Sequence, residues 1–384
     1  MRKYLMLASL LFSCALAQQA PDMVSLSSEP IDLDAAPTVR MRLLDPELKA
    51  HSVFLIGEEH WIASNTRLQY RFLTYLYHHA KVRTLLLEGG FAYGWLINRY
   101  LETGEETHLI KAITKPATCP ENLFQMFRQI YQFNRVWAKE DPIRVAGIDL
   151  ERSPQQVLEC LYFMLPDKQP NAAVRARIRS IKVRHVKESS DEDLRKFFRQ
   201  FQKEILETPW GHQQFWGENY DLVVMMLNSL VESFDLPNLE NIFNDRSADR
   251  RREEMLYQNF RRLHGKGLIR GNCMGQFGVI HTELAPSIDW GYPTLAQQLN
   301  ESNGSPARGK VLTIAKYLRR QPMIYDNFKG YPWFFSEMDR LDRMHNADVL
   351  LVRLAEGRRE LPRLQQNMPF VLLMDRDFER EPCK

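Results

Sequence analysis

The residues able to do acid–base chemistry fall in short polar runs that each follow an apolar stretch. Gly57-Glu58-Glu59-His60-Trp61 follows Ser52 to Ile56, and Glu88-Gly89-Gly90 follows Val82 to Leu87. Gly147-Ile148-Asp149-Leu150-Glu151 follows Ile143 to Ala146, and Gly278-Val279-Ile280-His281 ends a run that begins at Gly267. An imidazole with an ordinary pKa of about 6.5 takes a proton from water near neutrality, and a carboxylate on its far nitrogen fixes the tautomer and stabilises the imidazolium. His60 is therefore the candidate base, with Glu58 or Glu88 as its orienting carboxylate. His281 can donate to a developing oxyanion, or share a metal with His60 and Glu88. Glu59 and Asp149 are secondary candidates. Plainer roles stand beside these: a helix cap for Glu58 or Glu59, a cap or an ion pair with Arg152 for Asp149, and a satisfied core position for His281.

Other chemistries lack their residues. There is no Gly-x-Ser-x-Gly elbow, phosphate loop or dinucleotide fingerprint. His78 and His79 are adjacent on a helical pattern and face different ways. His185 lies in the basic stretch Arg175 to Lys187, read as a solvated helix face, and His108, His212, His264 and His345 have no acidic or glycine context that raises them as candidates.

The elements that must position the polar runs alternate. Short apolar runs at 52–56, 82–87 and 143–146 read as strands, with helical patterns from Leu68 to His79 and from Ala92 to Leu101 between them. This predicts an α/β fold, a central mostly parallel sheet flanked by helices, and ligands of such sheets sit beyond the carboxyl ends of the strands. From about Pro154 to Glu240 the pattern is amphipathic helix, including Ala173 to Lys187 and Asp191 to Thr208, and reads as a helical insertion that shapes substrate access. Ser247 to Leu263 is helical again, and late strands are expected at Gly309 to Ala315, Ala347 to Leu354 and Pro369 to Met374.

Met1-Arg2-Lys3, the apolar stretch Tyr4 to Leu16 and the small-x-small sequence before Gln18 read as a secretory signal peptide cut after Ala17. The protein is thus expected in the periplasm or secreted, without a transmembrane segment, and Phe12 before Cys14 makes a poor lipoprotein signal. Residues 18–45 read as an N-terminal arm or linker and 46–384 as the α/β domain. The mature chain keeps Cys119, Cys160, Cys273 and Cys383; Cys119 with Cys160 is the expected disulfide among three possible pairings. A net charge of +3 carries no basic excess for nucleic acid.

At the polar runs the sequence resembles the erythromycin-esterase family, within the wider group that includes ChaN-like haem-binding and TraB/Tiki proteins. The resemblance runs through Leu55 to His60, Leu87 to Phe91 with Asn98 to Leu101, Gly147 to Asp149, Arg251 to Met255 with Asn259, Gly278 to His281, and Thr294 to Leu299 before Val311. It implies that Glu58, His60, Glu88 and His281 line an active cleft, and that Arg252 reaches it from the helix before the last motif. It implies activation of water against an ester or lactone, with His60 as base. The Gly-x-x-His spacing of the first motif is that of the ChaN and Tiki groups; Trp61 stands where esterases have glycine, and Arg-Arg-Glu-Glu replaces their usual Arg-Asp pair. The expected function is an exported hydrolase acting on a small-molecule or peptide-like ester, lactone or amide, with or without a divalent metal. The alternatives are a haem- or metal-binding protein of the ChaN type and a partner-binding module with a decayed site.

Overall fold

A computed structural model describes residues 26–60, 62–113, 120–166, 172–186, 190–236, 246–286, 291–318, 347–354 and 367–375. Its strands are β1 (Ser28–Pro30), β2 (Val53–Glu58), β3 (Val82–Leu87), β4 (Arg144–Gly147), β5 (Asn272–Gly278), β6 (Val311–Leu318), β7 (Val349–Arg353) and β8 (Phe370–Met374). They form one sheet in the order β1-β7-β8-β6-β2-β5-β3-β4. The six strands from β8 to β4 are mutually parallel, whereas β7 runs antiparallel to both β8 and β1. The mostly parallel α/β sheet expected from the alternation is what forms.

The near-continuous apolar strands reflect cover on both sides, as a parallel sheet requires. Alternate residues of β2 divide between two layers: Phe54 and Ile56 pack with one apolar cluster, Val53 and Leu55 with the other. The first layer is built by α1 (Ser64–Ala80), α2 (Phe91–Thr103), α3 (Glu106–Ala112) and α4 (Pro120–Val136). The second comprises α5 (Pro154–Phe163), α6 (Ala172–Val186), α7 (Asp191–Glu207), α8 (Pro209–Trp216), α9 (Tyr220–Ser233), α10 (Arg246–Gly265) and α11 (Leu295–Glu301). Thus the helices expected as an insertion are a face of the core: Leu158, Leu161, Phe198, Phe201 and Met226 are fully buried in one cluster with Leu55 and Leu86.

Two further expectations change. Within the stretch expected as an arm, β1 pairs with β7, and Ile31, Leu33, Met41 and Leu44 are buried against the first layer. The apolar residues there are too widely spaced to register as an element, yet each is buried in the first-layer cluster. Cys160, expected in a disulfide, is a free and fully buried thiol, as is buried Cys273; both sit among apolar side chains, which push their pKa values up. Cys119 and Cys383 lie outside the described residues, as do the leader at 1–17 and His345.

β5 enters the sheet between β2 and β3, although its chain segment follows all three earlier parallel strands. That crossover sets the carboxyl ends of β2, β5, β3 and β4 side by side, which are the ends carrying the polar runs.

Phe201 is 0% exposed in the second layer, 6.5 Å by ring centroid from Trp216. Phe201→Ala should lower the unfolding free energy by about 3–5 kcal/mol, the usual loss for a buried aromatic. Urea denaturation measures it, and a change below about 1 kcal/mol would show that α7 is not part of the core.

Candidate active site

The site grows from strand ends in the order that the sheet dictates. Glu58 is the last residue of β2, and His60 lies two residues beyond it. The His60 ring turns back so that its Nδ1 lies 2.9 Å from Glu58 Oε1, and its Nε2 lies 3.9 Å from Glu88 Oε1, just past β3. The end of β5 stands between those two strands, and Gly278 there makes the approach possible. A Cβ at Gly278 would lie 3.0 Å from His60 Nε2, close enough that the ring would have to give way by a few tenths of an ångström. The Gly278 amide donates instead to Glu88 Oε2 at 2.8 Å.

Glu88 Oε1 accepts from Arg252 Nη2 at 2.6 Å, and Arg252 also donates to Asp149 through Nε at 3.1 Å and Nη2 at 2.8 Å. Asp149 lies just beyond β4, is 2% exposed, and accepts in addition from its neighbour Leu150 N at 2.8 Å and from Arg152 Nη2 at 3.0 Å. The result is a row of alternating charge: His60, Glu88, Arg252, Asp149, Arg152. Its two end side chains are the exposed ones, 37% for His60 and 40% for Arg152.

Behind this row stands His281 in a 3-10 turn, Val279–Thr282, directly after β5. It is 4% exposed, with Nδ1 against Glu253 and Nε2 3.0 Å from Arg252 Nη1 and 3.4 Å from Glu88 Oε1. Glu253, one residue after Arg252, in turn accepts from Leu295 N at the start of α11 at 2.5 Å. Both ring nitrogens of His281 are therefore engaged inside the protein. The expected roles of oxyanion donor and metal ligand do not fit this geometry; His281 holds Arg252 and Glu88 in place.

The electrostatics follow from crowding ions in a dry place. Burial favours neutral Glu88, but the charges of His60, His281 and Arg252 override it and hold its pKa well below the ordinary carboxylate range. For Asp149, burial is likewise outweighed by Arg152 and Arg252, leaving a pKa of about 2. Burial depresses an imidazole, yet the charges of Glu88 and Glu58, with the Glu58 hydrogen bond, raise the pKa of His60 above its usual value. Burial is also overcome at His281, pushed up to about 9 chiefly by Glu253.

A metal shared by His60, His281 and Glu88 does not suit these donors. Among the described residues no group of three or more His, Cys, Asp or Glu could hold a metal ion. The oxygen of Glu88 that would serve is already given to Arg252, whose guanidinium stands in place of a cation.

Glu59 stays at the edge of the group: its backbone carbonyl accepts from Asn65 Nδ2 at 2.7 Å. α1 begins only at Ser64, with Ala63 in the cap position, so neither Glu58 nor Glu59 caps it. Glu151 takes no part in the row; it lies 1% exposed with Oε1 2.5 Å from Ala92 N at the start of α2. Burial pushes its pKa up to about 8, and Asp149 adds to the shift. The sequence reading missed Glu253 and Gln276. Gln276 donates to Glu58 Oε2 from the neighbouring strand and to Asn65 O at 3.2 Å. Period-two alternation from Met274 puts Gln276 on the Glu58 side of the sheet, so strand pairing would have found it; nothing local marks Glu253.

No family model matches the sequence, and no curated protein matches it. Solved structures do share its fold. A Bacillus cereus protein superposes with a TM-score of 0.61 at 13% identity, over 91% of this chain and 94% of that one. A protein described as a succinoglycan biosynthesis protein gives 0.60 at 12%, covering 91% and 94%. A mutant erythromycin esterase in its open conformation gives 0.61 at 13%, covering 91% and 97%. The chain has the erythromycin-esterase-like fold.

Removing the guanidinium with Arg252→Ala leaves Glu88 without its hydrogen-bonded cation and Asp149 with Arg152 alone, and breaking a buried pair in this way costs about 3–5 kcal/mol. Chemical denaturation at pH 7 should show that loss, and a loss below about 1 kcal/mol would mean that the row is solvated. The raised pKa of Glu151 has its own signature. An acid with a pKa of about 8 when folded and an ordinary one when unfolded contributes stability that is full below the unfolded value and lost as pH rises through the folded one. Glu151→Gln should therefore flatten the fall in Tm between about pH 5 and 8; an unchanged slope would contradict the buried neutral carboxyl.

Proposed function

We propose that the protein is an exported hydrolase in which His60 activates water against an ester, lactone or amide. The observation that carries this reading is the 2.9 Å contact of His60 Nδ1 with Glu58 Oε1: a carboxylate there favours the Nδ1–H tautomer and puts the basic lone pair on Nε2, at the partly exposed end of the row and 3.9 Å from Glu88.

In the reaction, Nε2 takes a proton from a water molecule as the water oxygen bonds to the substrate carbonyl carbon and the carbonyl electron pair moves onto its oxygen. The imidazolium so formed is stabilised by Glu58 on one nitrogen and by the charge of Glu88 near the other. As the tetrahedral intermediate collapses, the bond to the leaving oxygen or nitrogen breaks and the imidazolium returns its proton to that atom. Glu58 remains ionised throughout. Arg252 and His281 keep Glu88 charged and aimed, so little reorganisation accompanies the proton transfer.

Export rests on the leader at residues 1–17 and its cleavage-type sequence before Gln18. No helix among the described residues is long and apolar enough to cross a membrane. Ester or lactone chemistry is supported by the name of one protein with this fold, an erythromycin esterase. A small-molecule or peptide-like substrate suits a site of separate strand-end loops, and the substrate's identity is a matter for screening.

Screening the purified protein on activated esters and lactones should give turnover that His60→Ala lowers by about 10²–10⁴-fold, the usual contribution of a general base. Equal rates for the variant and the wild type would remove the reading. Because the base works unprotonated and its pKa is raised, kcat/KM should climb with pH through an inflection above about 6.5. Glu58→Gln removes a negative charge and should move that inflection to lower pH.

A further inference from the structure

The row of alternating charge is asymmetric in what its two cations can still do. Arg252 is committed: Nε and Nη2 bond Asp149, Nη2 also bonds Glu88, and Nη1 meets His281. It cannot receive an incoming anion without giving up a buried partner. Arg152 differs. Among the described residues its hydrogen bond is the single one from Nη2 to Asp149 Oδ2, and its side chain is 40% exposed. A guanidinium carries five N–H donors in a planar fork that matches carboxylate and phosphate oxygens. The one carboxylate that Arg152 bonds among the described residues, Asp149, is shared with Arg252.

The backbone holds this cation in place. Leu150 N bonds the Asp149 side chain at 2.8 Å and Glu151 N bonds Ser229 Oγ on α9 at 3.0 Å, which pins the residues on either side of the turn leading to Arg152. α5 starts two residues later with Ser153 as its cap, and the positive end of that helix adds to the field at the same place.

We infer that the site takes substrates bearing an anionic oxygen group, a carboxylate or a phosphate, and that Arg152 binds that group while the scissile carbonyl lies at His60. The position of the scissile bond rests on the hydrolase reading; the anion site rests on Arg152 alone. Arg152 acts as a specificity residue: it sets which ester is held against the base.

The test compares 4-nitrophenyl hemiglutarate, which keeps a free carboxylate, with uncharged 4-nitrophenyl pentanoate. The wild type should prefer the anionic ester by at least about tenfold in kcat/KM, the discrimination worth about 1.4 kcal/mol. Arg152→Ala should bring the ratio near unity through KM for the anionic ester, and Arg152→Lys should restore part of it. A second arm is free of turnover: glutarate and inorganic phosphate are titrated calorimetrically into the wild type, His60→Ala and Arg152→Ala, each checked for folding by circular dichroism. Binding of either anion to the first two and not to the third supports the inference, and the anion that binds more tightly identifies the group. If neither ester is cleaved, the hydrolase reading fails while the titration still decides the anion site. A wild-type ratio near one without anion binding, or binding unchanged by Arg152→Ala, overturns it.

Discussion

Arg252 is a cation taken out of water, and it can stand there only because Glu88 and Asp149 face it from the ends of two neighbouring strands. Nearly everything else in the site follows from that pairing. The carboxylates belong to chain segments some sixty residues apart, and the guanidinium arrives on a helix from a third, so the contact forms only when β3, β4 and α10 are assembled. Once formed, it keeps Glu88 ionised against burial, and an ionised Glu88 beside His60 makes that imidazole a stronger base. Replacing such a buried pair by apolar side chains often leaves a protein as stable or more so. Its retention here agrees with a role in the electrostatics of the site rather than in stability.

Topology supplies the second constraint. Because β5 lies between β2 and β3, its carboxyl end meets the His60 ring, and a Cβ at Gly278 would stand 3.0 Å from His60 Nε2. Gly278 removes that obstacle and offers its amide to Glu88 as well. The same short turn then delivers His281 under Arg252, so one strand end serves as spacer, donor and support. The second-layer helices α5 to α9 bury the opposite face of β2 and β3, which fixes the strand ends relative to one another.

Much of this could be read from residues alone, and the failures share a cause. Strands such as Val82–Leu87 are apolar runs stopped by glycine, and their polar ends are local facts of the chain. That His60 and Glu88 lie at the same edge of the sheet follows once parallel strands are assumed, whereas their approach across β5 depends on the strand order. By contrast, Glu253 looks like any acid on a charged helix face; its contact with His281 depends on how α10 rotates against the sheet. The expected oxyanion role of His281 failed for the same reason, since burial of both ring nitrogens is a property of packing. Residues 26–45 read as an arm because Ile31, Leu33 and Met41 follow no strand or helix period, yet each finds a buried position. Amphipathic helices on a sheet face and helices in an inserted lid carry the same pattern, so α5 to α9 could not be placed from sequence.

The central claim is that Glu58 fixes His60 as the Nδ1–H tautomer with its basic nitrogen toward Glu88. Nitrogen-15 NMR of the histidine side chains across pH 5 to 9, with His60→Gln to assign the signal, tests this most directly. The expected result is a His60 ring that is Nδ1-protonated when neutral and titrates above the ordinary imidazole value of about 6.5. A neutral His60 protonated on Nε2, or one titrating below that value, would contradict it.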